Sequence, residues 1–146
     1  MSGSVEVAAP MTEEALQLLC ASSPFVRFTG LQLIALTDQG ARSTWRMPWR
    51  AEFERVDGSG QWQGGIIGAL IDTAGCLGLI AANGGRAGTV DLRIDFLRPA
   101  SGPYLDAVSL VRRVGRTLAV VDVEVASERG QLMAVGRGSF FVEQTS

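Results

Sequence analysis

The 146-residue chain contains no histidine, and all 13 of its basic residues are arginine, so lysine is missing as well. These absences exclude a histidine general base, a zinc site with imidazole ligands, a phosphate-loop lysine and a lysine Schiff base. Cysteine is nearly absent too. Cys20 and Cys76 stand far apart and outside any C-x-x-C spacing, which argues against a disulfide framework and against a thiolate metal site. No block of like charge occurs. With 15 acidic residues against 13 arginines the net charge is −2, and nothing in that balance points to nucleic acid. The start of the chain carries Glu6, Glu13 and Glu14 ahead of its short apolar stretch at residues 16–20, the opposite of a positively charged secretory leader. A cytoplasmic protein without a metal centre is the expectation.

What is present is a globular composition, 47% apolar and 19% charged, at a length suited to one core. A single domain over residues 1–146 is expected, with residues 1–24 as an N-terminal segment holding a short helix. Thr12, followed by Glu13, Glu14, Ala15 and Leu16, offers a cap, early acids and good helix formers, with the helix ending near Ser23-Pro24. Residues 25–36 and 43–47 read as two extended segments joined through Thr37-Asp38-Gln39-Gly40. Residues 55–63 read as a loop.

Residues 64–85 form the most unusual segment, 22 positions with Asp72 as the one charge, closed by the helix stop Gly84-Gly85. From Gly88 onward the period changes to two. Val90, Leu92, Ile94 and Phe96 alternate with Asp91, Arg93 and Asp95, and turns at residues 101–103, 115–116 and 128–130 divide the remainder into three more strands. The four strands are expected to run as a meander. A helix that is apolar nearly all round must be surrounded, and a curved antiparallel sheet wrapped around it is the economical α+β solution, a hotdog fold. A membrane span with Gly64-x-x-x-Gly68 as a helix-dimer face is the competing reading. Against it stands Asp72 mid-helix, at a cost of about 2.5 to 3.5 kcal/mol on insertion scales.

Asp72 is the first candidate for chemistry, because a carboxylate in an apolar helix is desolvated unless it pairs, and such a group can serve as base or nucleophile. Pairing with an arginine or with backbone donors is the competing structural role. Gly64-Gly65 at the helix start would present unpaired N–H groups at the positive end of the dipole, able to polarise a carbonyl oxygen. Gly64 and Asp72 lie eight residues apart, roughly 12 Å along one helix, too far to share a reacting carbon. Cooperation between them requires a second subunit with its helix antiparallel, which makes a two-fold dimer with two equivalent sites. Cys76, one turn beyond Asp72, reads as core filler. Trp62 reads equally as the lining of a pocket or as packing over the helix end, and Arg98 is assigned no function.

The run from Asp57 through Gly60, Gln63, Gly64 and Gly65 to Asp72, followed by residues 89–100 and by Arg113-Val-Gly-Arg116-Thr, resembles the PaaI-type hotdog acyl-CoA thioesterases over roughly residues 28–142. That family reads Asn-x-x-Gly-x-x-His-Gly-Gly and then an acid on the helix. Here Gln63 replaces the histidine and Asp57 stands at the asparagine. The resemblance implies Asp72 as nucleophile or general base, Gly64 as oxyanion donor across a dimer interface, Gln63 as an amide polariser of the thioester oxygen, and Thr89 as holder of the attacking water or substrate. It implies substrate contacts from Asp57, Gly65, Arg113, Gly115 and Arg116, with the arginines suited to the phosphates of CoA. The implied partners are acyl-CoA, with CoA as part of the substrate rather than a cofactor, and a second copy of the chain, as a homodimer or a dimer of dimers. Nucleic acid and membrane are not expected partners. A non-catalytic hotdog protein that binds an acyl ligand is the alternative.

Overall fold

The computed structural model describes residues 9–143, so the first eight residues of the expected N-terminal segment lie outside the described residues. Helix α1 (Glu13–Ala21) starts as expected, with Thr12 Oγ1 accepting from the Ala15 N–H at 3.1 Å. The next segment differs from expectation. The first helix ends at Ala21 with Ser22 as its C-cap, close to Ser23-Pro24 as expected, but Ser23-Pro24 also begins a second helix, α2 (Pro24–Thr29), so residues 25–29 are helical rather than extended. Proline at the first helical position costs no hydrogen bond and arrives with φ already set, while Ser23 Oγ accepts from the Val26 N–H and Gly30 ends the helix at φ 70°. Strands β1 (Gln32–Thr37) and β2 (Arg42–Pro48) then form the first hairpin.

Helix α3 (Gly64–Asn83) is followed by β3 (Arg86–Phe96), β4 (Tyr104–Val114), β5 (Leu118–Ser127) and β6 (Leu132–Glu143). All pairings are antiparallel, in the order β1-β2-β4-β5-β6-β3. The expected four-strand meander is therefore corrected, since only β4, β5 and β6 follow one another by hairpins. Seven consecutive residue pairs with β2 occupy the other side of β4, so β3 takes the edge left open beside β6. Register shifts at Leu33/Ala35, Thr89/Asp91, Val111/Arg113 and Val125/Ala126 add bulges that bend the sheet around the helix.

The helix is not wholly surrounded. Its buried residues, Ile67, Leu70, Ile71, Ala74, Leu77 and Ala81 among them, recur at helical spacing and pack with Trp45, Met47, Leu105, Val121 and Phe140 of the sheet. The opposite face, with Gly65, Gly68, Ala69, Asp72, Thr73, Cys76 and Ile80, is only partly covered. By length and apolarity this helix could cross a membrane, yet half of its most apolar stretch is buried inside the fold as the core helix. Helix and sheet approach closely at Gly78, where a Cβ would lie 2.2 Å from Ser109 Oγ and 3.0 Å from Ser43 Oγ. Only glycine fits there.

Candidate active site

One stripe of α3 runs along the edge strand β3. At intervals of one helical turn, Gly64 faces the Phe96 ring, Gly68 faces Ile94, Asp72 meets Thr89, and Cys76 Sγ approaches the Ala87 carbonyl oxygen at 3.7 Å. Thr89 Oγ1 donates to Asp72 Oδ1 at 2.6 Å, a short O–H···O hydrogen bond. Asp72 thus pairs with a hydroxyl rather than with an arginine, and Oδ2 has no hydrogen-bond partner among the described residues. Val90 is the extra residue of the β3 bulge directly beside this pair, a position at which bulges redirect neighbouring side chains. Burial, with a smaller contribution from the Asp72 charge, pushes the Cys76 thiol up to about 11, so it stays protonated at neutral pH. Cys20 is likewise raised by burial.

At the head of the same stripe, the Gly64 and Gly65 N–H groups have no hydrogen-bond partner among the described residues. Gln63 caps the helix. Its Oε1 accepts from the Ile66 N–H at 3.0 Å, which leaves the amide NH2 free to donate beside Gly65. Trp62 is buried, donates from Nε1 to the Gly102 carbonyl and packs against Trp49 and Phe53, so it fixes the entry to the helix. It also lines a cavity of about 380 Å3 together with Gly64, Phe96, Arg55 and Arg98. The competing roles for Trp62 are therefore both met in part.

The remaining candidates are spread more widely. Asp57 is exposed near the tip of the loop pinned by the Glu54–Trp62 bridge, its side chain without a hydrogen bond among the described residues, and Gly58 follows at φ 81°. Arg113 and Arg116 flank the β4–β5 turn, both exposed and neither in an ion pair among the described residues. Gly115 closes that turn with its N–H donating to the Leu118 carbonyl at 2.8 Å. Thr89 aligns through Phe140 and Ala119 with Val114, so the turn lies at the Thr89 end of the sheet, three strands or roughly 14 Å away. Among the described residues, no three metal-ligating side chains come together.

A second cavity, of about 370 Å3, opens beside the pair itself. Asp72 and Thr89 line it together with residues of α1, α2 and the lower half of α3. Sequence reasoning missed this cavity because it read α2 as strand, although Ser23-Pro24 followed by Gly30 was a legible start and stop.

The family model of the thioesterase superfamily matches residues 60–134, just over half of the chain and the part that holds Gly64, Asp72 and Thr89. The chain belongs to that superfamily. A provisionally named esterase of Saccharolobus solfataricus is 31% identical over 121 residues, covering 82% of this chain and 83% of the relative. One of the same naming from Halobacterium salinarum is 41% identical over 98 residues, but the match spans 58% of this chain and 62% of that protein, under two thirds of its length. The medium/long-chain acyl-CoA thioesterase YigI of Escherichia coli is 39% identical over 57 residues, 39% of this chain and 37% of its own. Among solved structures, a thioesterase-superfamily protein at 27% identity superposes with a TM-score of 0.82, covering 90% of this chain and 97% of that one. The E. coli PaaI protein, at 22% identity, shares the fold with a TM-score of 0.79 over 91% and 94% of the two chains. The thioesterase superfamily carries the α+β hotdog architecture described above, with its six-stranded antiparallel sheet curved around one long helix.

Proposed function

We propose that the protein is an acyl-CoA thioesterase, hydrolysing a thioester to a free acid and CoA at sites shared across a homodimer. The observation that carries this reading is the Asp72–Thr89 pair at the mouth of a cavity on the helix whose first N–H groups are unpartnered. In one subunit Gly64 and Asp72 are about 12 Å apart, so the reaction needs Asp72 of one chain opposite the partner's Gly64. Two features favour that association. β3 lies at an edge of the sheet with its outer hydrogen-bonding side unpaired among the described residues, and the partly covered face of α3 is lined by small residues including Gly68 and Ala69. Pairing two such edges antiparallel brings each helix start toward the other helix's midpoint.

In this reading Thr89 holds Asp72 through Oδ1 and leaves Oδ2 to take a proton from water as its oxygen attacks the thioester carbon. The carbonyl oxygen, gaining charge, is met by the backbone N–H donors at the positive end of the partner helix and by the Gln63 amide. Collapse breaks the C–S bond, and the CoA thiolate takes up the proton held on Asp72, which returns the carboxylate to its starting state. Water is the only second reactant required. Arg113 and Arg116, without an ion pair among the described residues and at the Thr89 end of the sheet, are suited to the phosphates of CoA. The protein acts in the cytoplasm, as a dimer or a dimer of dimers.

The test is release of CoA thiol from a panel of short, medium, long and aromatic acyl-CoAs, comparing the parent with Asp72→Asn and Asp72→Ala. Loss of about 100- to 10,000-fold in kcat is expected for both, with folded dimers retained by sedimentation. Turnover in Asp72→Asn within a few-fold of the parent refutes the assignment, and saturable acyl-CoA binding without turnover by the parent refutes catalysis.

A further inference from the structure

The cavity beside Asp72 has a wall that the family-matched stretch does not supply. One side is α3, from Asp72 to Ile80, and the other side is built by α1 and α2, which precede residue 60. Asp72 and Ile80 are eight residues apart, so this wall extends about 12 Å along the helix axis. Leu19, Phe25, Leu77 and Ile80 give the cavity an apolar character. Among the described residues, no basic side chain lines it and its one carboxylate is Asp72. Phe25 is 40% exposed and Leu19 37%, although both are large apolar residues that line this cavity. Such exposure is usual where an apolar ligand completes the packing.

Resting on the thioesterase reading, we propose that the N-terminal helices form the acyl-selecting wall of the site, with Phe25 as the residue that sets how large an acyl group is accepted. The tail lies between α3 and α1–α2, running from the carbonyl at Asp72 toward Ile80. The cavity takes an uncharged apolar acyl group of medium length and rejects one ending in a carboxylate. A second negative charge there would find no cation among the cavity residues and would face Asp72. The CoA portion leaves toward the exposed arginines outside the cavity.

The experiment measures binding apart from turnover. Non-hydrolysable thioether analogues of acyl-CoA, in a straight-chain series from short to long, are titrated against the parent, Phe25→Ala and Phe25→Trp. Affinity of the parent should rise about fourfold per methylene, the equivalent of about 0.8 kcal/mol, and then level off once the cavity is filled. Phe25→Ala should move the plateau to longer chains, and Phe25→Trp to shorter ones. An analogue of plateau length ending in a carboxylate should bind the parent at least tenfold more weakly than its methyl-ended counterpart. Because Phe25 is 40% exposed and lies outside the buried core, both variants are expected to fold, and opposite shifts exclude a general loosening. A plateau at the same length in all three proteins, affinity independent of chain length, or equal binding of the carboxylate analogue overturns the proposal. Hydrolysis of the corresponding thioesters is scored separately, so an inactive parent with shifting plateaus defeats the catalytic reading and leaves the acyl wall standing.

Discussion

Replacing Gly78 with alanine sets two effects of opposite sign against each other. Helix propensity favours alanine by about 1 kcal/mol in a helix interior, and Gly78 lies well inside the 20-residue α3. Packing opposes it. The new methyl carbon would lie 2.2 Å from Ser109 Oγ, 2.9 Å from Ser109 Cβ and 3.0 Å from Ser43 Oγ. Neither serine can turn to solvent, since both are buried, and Ser43 Oγ is engaged by the Trp45 indole N–H at 2.8 Å. Relief must come from moving helix and sheet apart, a form of overpacking that costs about 1–3 kcal/mol, with about 1 kcal/mol more if the Trp45 bond is lost. The net expectation is destabilisation by about 1–3 kcal/mol, a fall in Tm of roughly 3–9 °C for a chain of this size. Urea denaturation of Gly78→Ala, Ser109→Gly and the double variant measures it directly. In the Ser109→Gly background the substitution should become neutral or favourable, because the Cβ and hydroxyl that obstruct it are gone and Ser109 Oγ forms no hydrogen bond to lose. A parent background in which Gly78→Ala raises stability would show that propensity wins and that α3 does not sit this close to the sheet.

Two further outcomes follow from the polar contacts. Thr89→Val removes the hydroxyl that holds Asp72 and should lower kcat by about 10- to 100-fold with KM little changed, while Thr89→Ser restores most of it; a rise in KM at constant kcat would assign Thr89 to substrate binding instead. On the outer face of the sheet, hydrogen bonds from Arg137 and then Arg112, opposed by partial desolvation, hold the Asp122 carboxyl down at about 2. Because the folded value lies below the unfolded one near 3.9, this contribution is present above about pH 4 and is lost as pH falls toward about 2. Asp122→Asn should therefore be less stable near neutral pH by about 1 kcal/mol, after allowance for solvent screening of a partly exposed network, with the gap closing between about pH 4 and pH 2 in urea titrations. A gap that stays constant over that range contradicts the assignment.

The legible parts of the fold were those with strong period or strong punctuation. The apolar run with Gly84 as its stop became α3, and alternation from Gly88 to Phe96 became most of β3. The residues 104–114 were bounded by turn glycines on both sides and match β4. α2 was lost because Phe25, Val26 and Phe28 look like strand residues, while the capping signal of Ser23 and Pro24 was assigned to the helix before it. The place of β3 at the sheet edge was invisible, since alternation reports which face is buried and not which strand is next door. In the site, Asp72 and Gly64 stood out as one charge and one glycine pair in an apolar helix, and their spacing meant that cooperation between them would need a second chain. The cavity was lost with α2, since Leu19 and Phe25 meet Cys76 and Ile80 through tertiary packing only once residues 24–29 are helical.

The edge position of β3 also orders events during folding. β1 with β2, and β4 with β5 and then β6, join through short connections, whereas the partners of β3 on β6 are roughly 40 to 60 positions further along the chain. Closing so long a loop costs more chain entropy and is slower than forming a hairpin. As the chain is synthesised, α3 and β3 therefore wait for β6 to emerge before Thr89 has a sheet to belong to. The hydroxyl that steadies Asp72 is set in place by a strand roughly 50 residues further along, where Phe140 pairs with Thr89, so a nascent chain holds the acid long before it holds a working arrangement around it.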